Sequence, residues 1–216
     1  VAYDIERMAN SIQKHPVHIR SGQSAKAVDS VRQSLYPVHP QKKLSLLLDI
    51  IEEEEPGPTL IFLRTKDRTE MLGQALQRKG HNVALIHGDR SQGQREEALK
   101  GFRSGKYDVL VATDVAARGL DIEGVSHVIN YDIPLSPDDY IHRIGRTARA
   151  KSEGDAITLV SPDEFQYLGN IERALGHNIP RVETDDAPSV VSVYKPGATQ
   201  RGRTGRRATR KGGRRR

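Results

Sequence analysis

The sequence contains no cysteine and no tryptophan, and no apolar run long enough to cross a bilayer. Without thiols there are no disulfides and no thiolate nucleophile, which suits a reducing compartment. A membrane helix needs about 20 consecutive apolar residues, and no stretch approaches that. The opening residues, VAYDIERMAN, show no signal-peptide pattern, so a cytoplasmic location is expected. The eight histidines have no metal-ligand spacing, and no G-x-S-x-G nucleophile elbow occurs. Acid is missing from one segment in particular: residues 201–216 hold eight Arg and one Lys and neither Asp nor Glu. The formal charge is +6, and removing those nine charges leaves −3 for the other residues. A nucleic-acid site in the folded part must therefore be a local patch rather than a global field.

With 216 residues and 36% hydrophobic composition, the chain can bury a core as one large or two small domains. An i, i+3, i+4, i+7 apolar stripe predicts a helix over 3–14, ended by Pro16, with a short PVHI run and a small polar linker over 21–24 behind it. A strand over 31–38 and a helix over 41–55 follow, the helix burying Leu44, Leu47, Leu48 and Ile51. From Pro56 the pattern is regular. Apolar runs at 60–63, 83–86, 108–112, 127–131 and 156–160 alternate with helices at 67–79, 92–103, a basic segment near 140–150, and 162–175. Short strands alternating with helices of this length predict an α/β fold, an open parallel sheet with helices on both faces.

Ligands of such sheets bind at the carboxyl ends of the strands, where this chain places Arg64-Thr65, His87-Gly88-Asp89 and Thr113-Asp114. The basic segment YIHRIGRTARA carries His142, Arg143, Arg146 and Arg149. In a helix Arg146 would lie one turn from both His142 and Arg149, presenting paired guanidiniums to a phosphate; the same spacing also fits a solvated basic face. In TDVAARGLD, Gly119 permits a tight turn, and Asp121 is placed either to accept from a ribose hydroxyl or to pair with Arg118. Gln92 and Arg95 at a helix start suit a phosphate cradle, although capping by Ser91 with Glu96 nearby explains the same residues. GATQRGRT, at 197–204, mimics a P-loop but follows no strand and precedes no apolar helix, so it is read as tail sequence.

The blocks LIFLRT, LIHGDRSQGQRE, VLVATDVAARGLDI, HVINYDIP and YIHRIGRTARA, in this order and spacing, resemble the C-terminal, second RecA-like domain of the DEAD-box RNA helicases over about 41–175. His142 at the head of the last block resembles that branch rather than its relatives, which usually carry Gln. The resemblance implies a RecA-like sheet, a P-loop NTPase-type fold lacking its own P-loop. It implies Arg146 and Arg149 as arginine fingers, and Asp121 with Gly119 at the ATP ribose. It implies His142, Arg143, Arg118 and Asp114 at the boundary with an N-terminal RecA-like partner domain, and Thr65, Gly88, Gln92, Arg95 and Thr113 on the RNA backbone. ATP with Mg2+ would be held mainly by that upstream domain, and no metal ligand is expected here. Ala148 stands where the family commonly has Gly, and a helix-favouring Ala is expected to preserve the finger geometry.

Residues 1–22 resemble the end of the family's first domain, which makes 23–184 the C-terminal helicase domain and 185–216 a disordered Arg/Gly-rich tail with nonspecific RNA affinity. The sequence shows neither GxxxxGK[ST] nor a DEAD tetrapeptide, and the Val-Ala start suggests a fragment or a processed chain. Half of an RNA helicase, silent as an ATPase by itself, is the expectation; a non-catalytic RNA-binding or protein-docking module with the same fold is the alternative.

Overall fold

The computed structural model describes residues 11–12, 31–53, 57–122, 124–147, 154–184 and 187–188. Ser11 and Ile12 are helical, while the rest of the helix expected over 3–14, the PVHI run, the 21–24 linker, Ala148, Arg149 and the basic tail lie outside the described residues.

Six strands form one sheet: β1 (Val31–Pro37), β2 (Thr59–Leu63), β3 (Val83–Ile86), β4 (Val109–Thr113), β5 (His127–Asn130) and β6 (Gly154–Val160). Their order is β1-β6-β5-β2-β4-β3, and every pairing is parallel. The helices are α1 (Lys43–Glu53), α2 (Lys66–Arg78), α3 (Gln92–Arg103), α4 (Asp114–Ala117), α5 (Pro137–Ile144) and α6 (Phe165–Leu175). Short 3-10 turns, Pro40–Lys42 and Pro162–Glu164, lead into α1 and α6.

Every residue of β2 and β4 is buried, as continuous apolar runs covered on both faces must be. Ile61, Leu63 and Val111 face Leu47, Ile51, Leu72 and Leu76 of α1 and α2. On the opposite face Leu60, Phe62 and Leu110 meet Leu99 and Phe102 of α3. Val128 pairs with Ala156, so Tyr140 and Ile144 of α5 and Leu168 of α6 cover that same face toward β1. Each fully buried side chain of this size contributes about 1.5–3 kcal/mol.

The expected elements recur with shifts of one to three residues at most ends, and α2 stops where Gly80 takes φ +94°. Two differences bear on the site. The four-residue helix α4 was not expected. The basic segment is not helical from 140 to 150: α5 starts earlier, at Pro137, and ends at Ile144. Ser136 caps its start by accepting from the Asp139 N–H at 3.1 Å, and Pro137 occupies the first turn, where its missing donor costs nothing. After Gly145 the chain tightens, with Arg146 N–H donating to Arg143 O (3.1 Å) and Thr147 N–H to Ile144 O (3.2 Å). Arg146 therefore sits in a turn, one step off the helix end.

Candidate functional site

A cleft between α4 and α5 brings together Asp114, Arg118, His142, Arg143 and Arg146, over the ring of Phe62. Its three arginines differ in what holds them. Arg143 is 2% exposed and engaged on four of its donors: Nε and Nη2 fork onto Asp114 at 2.6 Å each, and Nη1 donates to Asn130 Oδ1 (2.9 Å) and Asp132 O (2.8 Å). Its guanidinium lies 4.9 Å from the Phe62 ring centre, a cation–π contact inside the fold. The side chain is an internal brace tying α5 to the ends of β4 and β5.

Arg118 reaches Asp139 of α5. Burial pushes the Asp139 carboxyl up, but the Ser136 hydroxyl and the Arg118 guanidinium outweigh it and hold the group below the ordinary carboxylate range. Arg146 has no carboxylate partner among the described residues, so its guanidinium is the unneutralised charge of the cleft. His142, on the last turn of α5, is exposed beside it.

Thr147 fixes where Arg146 stands. It is 1% exposed and donates to Val125 O at 2.7 Å, which ties the turn to the chain entering β5. Gly154 makes the room, because a Cβ there would collide with Thr147 Oγ1. Sequence reading missed Thr147, Phe62 and Asp139. Only Asp139 left a signal, the S-x-x-D pattern of Ser136 to Asp139.

The pairing of Arg118 with Asp121 does not form. Arg103, at the end of α3, takes Asp121 instead at 3.0 Å, and Asp121 stays 78% exposed without lining the cleft. Gly119, between the two, has φ +76°, a conformation in which a side chain is strained.

The carboxyl edge of the sheet holds the second group of candidates. Thr65 is the N-cap of α2 and accepts from Arg68 N–H, Gly88 lies in the turn after β3, and Thr113 ends β4 without a side-chain cap bond. Gln92 donates to Glu96 at 3.0 Å, and Arg95 gives one long bond, 3.3 Å, to Gly88 O. The cap of α3 is a box between Ser91 and Gln94, not Glu96. A Cβ at Gly88 would meet nothing within 4 Å and its φ is not positive, so nothing among the described residues requires glycine there. Because β2, β4 and β3 are neighbours, Thr65, Thr113 and Gly88 form one row.

The residues present suit phosphate groups, with a free guanidinium in the cleft and weakly engaged donors along the edge. They do not form a metal site: no group of three or more His, Cys, Asp or Glu suited to a metal occurs among the described residues.

These features define an α/β domain of helicase type. Residues 42–151 match the helicase conserved C-terminal domain, and the chain belongs to that family. Its relatives include the DEAD-box ATP-dependent RNA helicase CshA of Bacillus licheniformis, 38% identical over 200 residues, covering 93% of this chain and 41% of the relative. The chain thus spans about two fifths of that relative's length. The crystal structure of E. coli DEAD-box protein SrmB bound to regulator of ribonuclease activity A superposes with a TM-score of 0.69 at 37% identity, covering 76% of this chain and 98% of that one. Yeast Dbp5 bound to RNA and ADP BeF3 gives 0.75 at 33% identity, covering 86% of this chain and 50% of the other. The sheet is the RecA-like C-terminal fold of these proteins, as the sequence blocks implied.

Proposed function

We propose that the chain is the C-terminal half of an ATP-dependent RNA helicase, closing on an N-terminal RecA-like partner domain to complete an ATP site and grip RNA. The observation that carries this is Arg146: of three arginines in one cleft it alone lacks a carboxylate among the described residues, as a side chain reserved for an external anion would. With Arg149 it acts as an arginine finger on the γ-phosphate, where a planar fork stabilises charge spreading in the transition state. Asp121, exposed and with Gly119 beside it, accepts from the ribose. His142 faces the partner domain, and the Arg143–Asp114 and Arg118–Asp139 pairs hold the cleft walls in register for it.

The row of Thr65, Gly88, Gln92, Arg95 and Thr113 takes the RNA sugar-phosphate backbone, which carries no base information. At Gly88 the missing Cβ leaves room for that backbone to approach. ATP supplies the bond that is broken; this chain's residues position it and neutralise its charge. Mg2+ accompanies the nucleotide on ligands of the partner domain. Residues 23–184 constitute the helicase domain, 1–22 the end of the upstream domain, and 185–216 a basic RNA-binding arm, in a cytoplasmic protein.

Steady-state ATP hydrolysis tests this, measured with and without single-stranded RNA for the chain alone and for the chain joined to its own upstream coding sequence. Silence alone with RNA-stimulated turnover in the joined protein is expected. Arg146→Ala should then lower turnover by about 10³-fold or more, the effect of removing such a finger. Silence of both proteins would leave the RNA-binding or docking module.

A further inference from the structure

A groove of about 500 Å³ opens along α2, on the face of the sheet opposite the Arg146 cleft. Its floor is apolar: Leu63 and Leu72 are buried, and Leu44 of α1 and Tyr131 half-buried. Met71 stands at the rim, 70% exposed in the middle of α2. Helix propensity does not ask for Met there, since Gln, Glu and Lys serve an exposed helix position equally well and leave no apolar surface in water. A flexible thioether fills irregular gaps and recurs on surfaces that take up other proteins.

Two cations and no acid line the groove among the described residues. Arg68 gives Nη2 to the buried Asp132 at 2.7 Å and lies over the Tyr131 ring, while its Nε and Nη1 have no hydrogen-bond partner among those residues. Arg78, in the last turn of α2, has no carboxylate partner among them. The two arginines are separated along one helix by about 15 Å. One phosphate group cannot span that distance. A segment of about ten helical or about five extended residues lying along α2 can, with a carboxylate against each arginine and apolar side chains between them.

Other occupants fit less well. A nucleic-acid strand would lay its charged backbone over Leu72 and Met71. A domain closing over Arg146 approaches the opposite face, with the sheet in between. Residues 201–216 carry the same sign of charge as the groove. We infer that the groove along α2 docks a short acidic segment of a second protein, anchored by large apolar side chains on Met71, Leu72 and Tyr131 and aligned by Arg68 and Arg78. The groove uses none of the residues given above to ATP or RNA, so the inference stands apart from the helicase reading. Under that reading it supplies the targeting that contacts to an RNA backbone lack.

Random peptides of about 12 residues displayed on phage, selected against the intact chain, test this, with the chain carrying Met71→Gln and Arg78→Gln as the counter-selection. The recovered peptides should combine Asp or Glu with Leu, Phe, Tyr or Trp. Either single substitution should weaken them by at least about fivefold, whereas Arg78→Lys, which keeps the charge, should stay within about twofold. Both positions are exposed, so melting temperatures should stay within about 2 °C. Recovery of no peptide that depends on Met71 or Arg78, or of peptides without acids, overturns the inference. Three further results overturn it by naming another occupant. Displacement by single-stranded RNA, with weaker RNA binding by Arg78→Gln, assigns the groove to nucleic acid. Displacement by a peptide of residues 185–196, which holds Asp185, Asp186, Val193 and Tyr194, assigns it to this chain's own end. A dimer that Met71→Gln dissociates assigns it to a second copy.

Discussion

Replacing Arg143 by Ala is the perturbation that most directly separates a brace from a ligand-binding arginine. The guanidinium is 2% exposed and makes four hydrogen bonds of 2.6–2.9 Å, two of them a fork onto Asp114. Removing one partner of a buried ion pair costs about 3–5 kcal/mol, because the other charge stays behind. Asp114 is 26% exposed and water reaches it, which argues for the lower end. Against that, Asn130, 0% exposed, and the Asp132 carbonyl both lose their donor, at about 1–3 kcal/mol for each acceptor that water does not reach. The sum is at least about 5 kcal/mol. At about 2–4 °C per kcal/mol for a chain of this size, melting should fall by at least roughly 10 °C. Thermal and urea unfolding followed by circular dichroism measure it, with Arg146→Ala as the comparison. Without a carboxylate partner among the described residues, Arg146 should leave stability within about 0.5 kcal/mol. A fall below about 3 °C for Arg143→Ala, or equal falls for both, would refute the division between them.

Thr147→Val keeps the shape but leaves Val125 O without its 2.7 Å donor, so urea unfolding should show a loss of about 1–2 kcal/mol, smaller for Thr147→Ser. Gly154→Ala drives a Cβ into Thr147 Oγ1 and should cost about 1–3 kcal/mol, a loss that Thr147→Ala in the same chain partly relieves. Asp139 is held below its ordinary pKa in the fold, so it binds its proton more weakly folded than unfolded. Its stabilisation is complete above the ordinary Asp value of about 3.9 and disappears as pH falls through the lower folded value; Asp139→Asn should flatten that acid limb and leave the slope between pH 6 and 8 unchanged. Deleting residues 201–216 removes nine cations, and RNA binding should weaken with a shallower dependence on salt; an unaltered slope would show that the tail makes no phosphate contact.

Periodicity was enough to place the strands and most helices because those elements are fixed by burial on two faces. The runs LIFL and VLVA can only be covered strands, and Gln92–Arg103 starts and stops where Ser91 and Gly105 say it does. The basic segment misled for a local reason. Three- and four-residue spacing between His142, Arg146 and Arg149 suits a helix, yet Gly145 and the long-range bond from Thr147 to Val125 O decide the backbone there. No window of the sequence contains both partners of that bond. The partners of the charged residues were hidden for the same reason. Arg118 and Asp121 are three apart and of opposite sign, but they leave in different directions, to Asp139 of α5 and to Arg103 of α3. Nearness in sequence identifies pairs on a helix; here α4 ends at Ala117 and Gly119 turns the chain between them.

Pairing therefore says more about role than residue type does. Arg143, Arg118 and Arg146 are three arginines of one cleft and carry the same charge. Arg143 is coordinated on nearly every donor and buried, so an incoming phosphate could recruit it only by breaking the bonds that hold β4, β5 and α5 together. Arg118, half of a surface pair with Asp139, could exchange its carboxylate for another at small cost. Arg146 needs no exchange. Its turn is anchored by a neighbour's hydroxyl rather than by its own side chain, so position is fixed while the guanidinium stays available. A phosphate-binding arginine held by its own charge would lose part of that charge to its anchor; in the role proposed for Arg146, the Thr147 bond removes that conflict.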